Sequence, residues 1–135
     1  MVNVLLVAAG GAIGAAARYL AGLWIAARLG ASFPWGTFFV NVTGSFVIGI
    51  VLVLVEGGTL PAGARLFLAV GILGGYTTFS SFSYETLQLL NGGDVVPVLL
   101  NVLGQLLIGL LAVYLGVVFA RGVGGMCWNP AMRRS

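Results

Sequence analysis

Gly71-Ile72-Leu73-Gly74-Gly75-Tyr76-Thr77-Thr78-Phe79-Ser80-Ser81-Phe82-Ser83 sits in the middle of an apolar stretch, residues 64–90. A glycine pair followed by β-branched and hydroxyl residues is poor helix material, and inside a hydrophobic run it predicts a helix broken at membrane depth. Carbonyls freed at such a break can bind a small cation, and the N-terminus of the following half-helix favours an anion. Phe79 and Phe82 stand one turn apart beside the hydroxyls. Phenylalanine pairs usually pack, but a ring edge carries partial positive charge and can face an anion.

Three more apolar stretches surround this one, at residues 4–27, 38–55 and 95–120. A spanning helix takes about 20 residues, so the pattern predicts an all-α membrane protein with four transmembrane helices, the third broken. Composition agrees: of 135 residues, 60% are hydrophobic and 7% charged, against roughly a quarter charged in a soluble domain. Mean hydropathy is +1.12. Turn residues separate the spans: Gly30 and Pro34, then Gly57, Gly58 and Pro61, then Asn91-Gly92-Gly93-Asp94. Connections this short force consecutive helices to run antiparallel. Residues 1–121 thus form one four-helix domain, and the glycine-rich residues 122–135 read as a flexible C-terminal tail.

The missing residue types exclude several chemistries. Without histidine, neither a serine or cysteine hydrolase triad nor a histidine-ligated metal site is expected. The single cysteine, Cys127, cannot form an intrachain disulfide. A formal charge of +3 comes from six scattered arginines with no lysine, which suits interfacial anchors and not a nucleic-acid surface. Ala15-Ala16-Ala17 resembles a signal-peptide cleavage site. No basic segment precedes it, however, and the apolar stretch runs on past Arg18, so cleavage is not expected. Arg65, Arg121, Arg133 and Arg134 lie on the side of the termini and Arg28, with Arg18, towards the other, which favours cytoplasmic termini. Discounting the tail leaves the bias nearly neutral, and a near-neutral chain can insert both ways.

Polar residues recur where lipid should forbid them. The first span carries Gly10, Gly14, Arg18 and Gly22 at steps of four, a small-residue stripe interrupted by one guanidinium. Thr37, Asn41, Ser45 and Gly49 repeat the step in the second span, and Asn101, Gln105 and Gly109 in the fourth. Such residues serve interhelical hydrogen bonding in some bundles. Two tracks on separate helices point instead to a water-lined path.

Asn41-Val42-Thr43-Gly44-Ser45-Phe46, followed by residues 74–85 from Gly74 to Glu85, resembles the Fluc (CrcB) family of microbial fluoride channels, and Gly11, Gly14 and Arg18 fit the resemblance. It covers all four spans, roughly residues 2–120. The resemblance implies an antiparallel, dual-topology homodimer in the cell (inner) membrane, with two fluoride pores and a structural sodium ion held centrally at the broken third helices. By the same resemblance Asn41 is a pore-lining donor, Phe79 and Phe82 are the pore's aromatic rings, and Thr78 and Ser83 are nearby polar groups. Gly74 and Thr77 supply backbone carbonyls to the sodium, and Arg18 sits at a vestibule. One departure stands out: where the family often has Tyr and Ser four residues apart in the fourth span, this chain has Asn101 and Gln105, which are also hydrogen-bond donors.

Fluoride is small and tightly hydrated, so a selective pore must replace its water with donors and positive edges while binding weakly enough for the ion to leave. No ATP-binding loop is present, which implies passive flow and no enzyme activity. A small multidrug exporter, also a four-span dual-topology dimer, is a rival reading, but that family carries a glutamate in its first span and this one has Arg18 and no acid. A non-transporting scaffold subunit would account for the glycines and not for the two polar tracks.

Overall fold

The computed structural model describes residues 1–123; the remainder of the expected tail, including Cys127, lies outside the described residues. Four helical spans, Val2–Leu29, Trp35–Glu56, Ala62–Asn91 and Val95–Val123, are each long and apolar enough to cross a membrane. Among the described residues there is no strand. The chain is therefore an all-helical, multi-pass membrane protein. Each helix outruns its apolar stretch at one end or both, because interfacial residues such as Arg28, Trp35 and Arg121 continue the helical hydrogen bonding beyond the hydrophobic zone.

Left-handed glycines make the turns: Gly30 at φ 78°, Gly58 at 73° and Gly93 at 81°. A side chain at these positions would strain the backbone. Pro34 and Pro61 precede the second and third spans, where a missing amide costs no helical bond. The Asp94 carboxylate accepts from the Val96 amide at 3.0 Å and so caps the fourth span.

The third span is composite. After a first turn, Ala62–Ala64, residues Arg65–Leu73 wind as a π-helix, and the Gly74 amide accordingly donates five residues back to Ala69. One α-turn, Gly74–Tyr76, follows. Thr77 (φ −81°, ψ 158°) and Thr78 (φ −152°, ψ 118°) are extended, and an α-helix starts again at Phe79–Asn91.

Packing follows the glycines. A Cβ on Gly10 would stand 2.9 Å from the Gly71 Cα, and one on Gly14 would collide with the Ile72 carbonyl, so the first span lies directly on the first half of the third. Gly49 and Gly116 do the same for the second and fourth spans, against Val113 and Phe46. Residue numbers rise together along both pairs, Gly10 and Gly14 meeting Gly71 and Ile72 in one, Phe38, Asn41 and Ser45 meeting Gly104, Gln105 and Gly109 in the other, so the partners are parallel. Between the second span and the third they run opposite ways, Thr37 meeting Glu85 and Gly44 meeting Thr77. The topology is up-down-up-down, with both ends of the described chain on one side. Small residues allow such approach, and in lipid it is dispersion that holds the helices. One buried apolar cluster gathers Val51, Ala69 and Leu73, flanked by Ile48, Leu52, Val55 and Leu68, while Ile25, Val40, Ala112 and Ala120 are buried elsewhere along the helix contacts. Leucines such as Leu20, Leu99, Leu107 and Leu110 remain exposed, which suits a surface solvated by acyl chains.

Candidate functional site

The extended pair Thr77–Thr78 creates a problem that the second span solves. At membrane depth the polar groups of a non-helical residue need partners. Asn41 supplies two: its Oδ1 accepts from the Thr78 amide at 2.8 Å and its Nδ2 donates to the Thr78 carbonyl at 3.1 Å. Thr78 is buried, and its Oγ1 caps the new half-helix by accepting from the Ser81 amide at 3.2 Å. Thr77 Oγ1 turns back to the Leu73 carbonyl at 2.9 Å.

From Asn41 a line of side chains crosses to the fourth span and returns to the third. Asn41 Nδ2 donates to Gln105 Oε1 (2.7 Å), Gln105 Nε2 to Asn101 Oδ1 (2.7 Å), and Asn101 Nδ2 to Thr86 Oγ1 (2.8 Å). Thr86 Oγ1 then donates to the Phe82 carbonyl at 2.6 Å. Asn101, at 0% exposure, is the most deeply buried polar residue of the described chain.

Beside this line lies a groove of about 530 Å³, lined by Asn41, Ser45, Gly74, Thr77, Thr78, Phe79, Phe82 and Gln105 among others. The Phe79 and Phe82 rings have centroids 5.5 Å apart at 44°. Phe79 is 80% exposed, so its ring is open to whatever adjoins the groove. A donor-bearing, aromatic-edged groove without a fixed charge on its walls can hold a small anion only through hydrogen bonds and ring edges.

The family model for the CrcB-like protein, Camphor Resistance (CrcB), matches residues 5–117. The chain belongs to the CrcB family. Relatives bear the name fluoride-specific ion channel FluC: one from a strain of Thermus thermophilus is 59% identical over 83% of this chain and 88% of its own length. A second, from Rhizobium meliloti, is 46% identical over 91% of this chain and 99% of its own. A third, from Chloroflexus aurantiacus, is 45% identical over 93% and 100%.

Of the residues singled out from sequence, Asn41, Thr78, Phe79, Phe82, Gln105, Gly74 and Thr77 meet at the groove of this CrcB-family chain. Three do not line it. Arg18 is half-buried on the first span, Ser83 is exposed and its Oγ donates to the Phe79 carbonyl at 2.9 Å, and Asn101 lies behind Gln105. Thr86, the terminus of the side-chain line, carried no distinguishing signal. Glu85 did carry one, being an acid inside a span. It accepts from Thr37 Oγ1 at 2.7 Å, its Oε2 is buried without a partner, and both residues line a second cavity, of about 480 Å³, at the end of the molecule near Gly30 and Gly92.

Proposed function

We propose that two copies of this chain, inserted in opposite orientations in the cell (inner) membrane, form a passive channel that exports fluoride and excludes chloride. The observation that carries the reading is the groove that Asn41 and Gln105 line together with the Phe79–Phe82 pair, in a chain whose relatives are named as fluoride-specific channels. Residues 1–121 are the channel unit. Dual insertion is supported by the weak arginine asymmetry between the two sides, and a dimer by the exposure of Phe79 and Gly74 on the face where the third span is broken.

Fluoride loses its water only against closely spaced donors. The Asn41 amide and the Ser45 hydroxyl provide them, and the edges of Phe79 and Phe82 complete the shell without a full positive charge that would trap the ion. Thr78 and Ser83 shape the break, Gln105 and Asn101 extend the polar track, and the Arg18 guanidinium at a vestibule raises the local anion concentration. No covalent step is involved and the protein is not an enzyme.

The backbone at the break also fits a structural sodium ion. In a continuous helix the Gly74 carbonyl would accept from the Thr78 amide and the Thr77 carbonyl from the Ser81 amide. Here those amides go to Asn41 Oδ1 and Thr78 Oγ1, leaving both carbonyls without their helical donors. Gly74 and Thr77, from two copies, would hold the ion with neutral oxygens, which suits a hard monovalent cation. The ion would supply electrostatic cross-linking of the two broken spans.

Fluoride efflux from liposomes containing only the purified protein, run against chloride, tests the function. The expected result is rapid fluoride release with chloride retained; equal rates for the two ions reject selectivity, and no release of either rejects the channel.

A further inference from the structure

The hydrogen bond between Asn41 and Gln105 has a direction fixed from both ends of the line it belongs to. At one end the Thr78 amide can only donate, so the Asn41 atom facing it is Oδ1 and Nδ2 faces Gln105. At the other, Thr86 Oγ1 gives its hydrogen to the Phe82 carbonyl, so it must accept from Asn101 Nδ2, which turns Asn101 Oδ1 to Gln105 Nε2. Both routes leave Gln105 Oε1 against Asn41 Nδ2. The orientation of all three carboxamides is thereby determined without appeal to a single ambiguous flip.

Asn41 then has no amide hydrogen to spare. One goes to the Thr78 carbonyl at 3.1 Å and the other, in the shorter bond of 2.7 Å, to Gln105 Oε1. An anion in the groove that accepts from Asn41 must occupy the place of Gln105 Oε1. Ser45, one turn along the same face and lining the same groove, has a hydroxyl with no acceptor among the described residues.

Building on the channel reading, we propose that Gln105 is a tethered competitor for the transported anion: its Oε1 occupies the Asn41 donor, and fluoride reaches that donor only by displacing it. Asn101, wholly buried and tied to Thr86, holds Gln105 in the occupying pose. The exchange is feasible because a hydrogen bond to an anion is stronger than one to a neutral amide. It also weakens net binding, which a conducting site requires. Gln105 is thus a positioning residue that sets affinity at Asn41, and fluoride is expected to bind between Asn41 Nδ2 and the Ser45 hydroxyl.

The test is a sodium fluoride titration of the full chain in detergent micelles, followed through the side-chain amide signals of Asn41 and Gln105, with liposome efflux measured alongside. In the unmodified protein both signals should move together on saturation; Asn41 moving while Gln105 stays still overturns the proposal. Gln105→Met removes the acceptor at similar size and should bind fluoride roughly three- to tenfold more tightly, the worth of one net hydrogen bond. Gln105→Glu keeps an acceptor at Asn41 and should show no gain. Unchanged or weaker binding in Gln105→Met, or an equal gain in both variants, refutes competition. Efflux decides the other question: binding with this pattern and no flux would sink the channel reading and leave the competition standing.

Discussion

Asn41 holds Thr78 by both ends of its carboxamide, Oδ1 on the amide at 2.8 Å and Nδ2 on the carbonyl at 3.1 Å. A single side chain on the second span thus replaces the two backbone partners that the third span loses where its helix stops. The residue assigned to the ion path is also the residue that stabilises the break beside the path.

Asn41→Asp should therefore abolish fluoride throughput. The aspartate cannot donate to the Thr78 carbonyl or to Gln105 Oε1, each lost buried partner costs about 1–3 kcal/mol, and a carboxylate repels the anion. Liposome efflux measures the loss, with gel filtration confirming assembly. Retained flux in folded, dimeric protein would move Asn41 off the path.

Thr78→Val keeps the shape and removes the cap on the Phe79–Asn91 half-helix. A lost N-cap costs about 1 kcal/mol, so thermal unfolding in detergent should shift down, while Thr78→Ser should stay close to the parent. Equal stability of the two variants would show that the Ser81 amide finds another acceptor.

Phe82→Ile preserves bulk at the groove and removes the ring edge. Fluoride flux should fall without loss of assembly if the Phe79–Phe82 pair, 5.5 Å apart, faces the ion. Flux that stays at the parent value would make Phe82 a packing residue only.

Gly14→Ala should destabilise the fold by about 1–3 kcal/mol, because the new methyl would lie 2.8 Å from the Ile72 carbonyl carbon and 2.9 Å from the Tyr76 nitrogen, both rigid backbone. Gly11→Ala, with nothing within 4 Å, is the matched control. The comparison is read as yield of monodisperse protein and as unfolding temperature. Equal behaviour would mean that the first span can slide on the third at little cost.

The four spans were legible because hydropathy and turn residues report directly on membrane crossing, and membership of the CrcB family was legible in the strings around Asn41 and residues 74–85. Other features depend on tertiary geometry. The π-helical winding of Arg65–Leu73 leaves no mark in an apolar run whose residues would serve an α-helix equally well. Asn101 and Gln105, four residues apart, look like one polar face, yet only Gln105 reaches the groove; Asn101 is turned towards Thr86, fifteen residues back across the turn at Gly93. An i, i+4 spacing identifies residues on the same side of a helix and cannot tell which of them a neighbouring helix will cover.

Sodium offers the final test. The Gly74 and Thr77 carbonyls have lost their helical donors to Asn41 and to the Thr78 hydroxyl, and no carboxylate belongs to residues 71–83. Any positive charge held there is met by carbonyl dipoles alone, which favours a monovalent ion over calcium. Two broken third spans meeting at such an ion would be linked through it, so exchanging sodium for a large organic cation should lower both dimer stability and fluoride flux once exchange is complete. Dimer dissociation in detergent and efflux from liposomes prepared in each cation measure the two effects. Dimer stability and flux that both persist unchanged in the organic cation would remove the ion from the assembly.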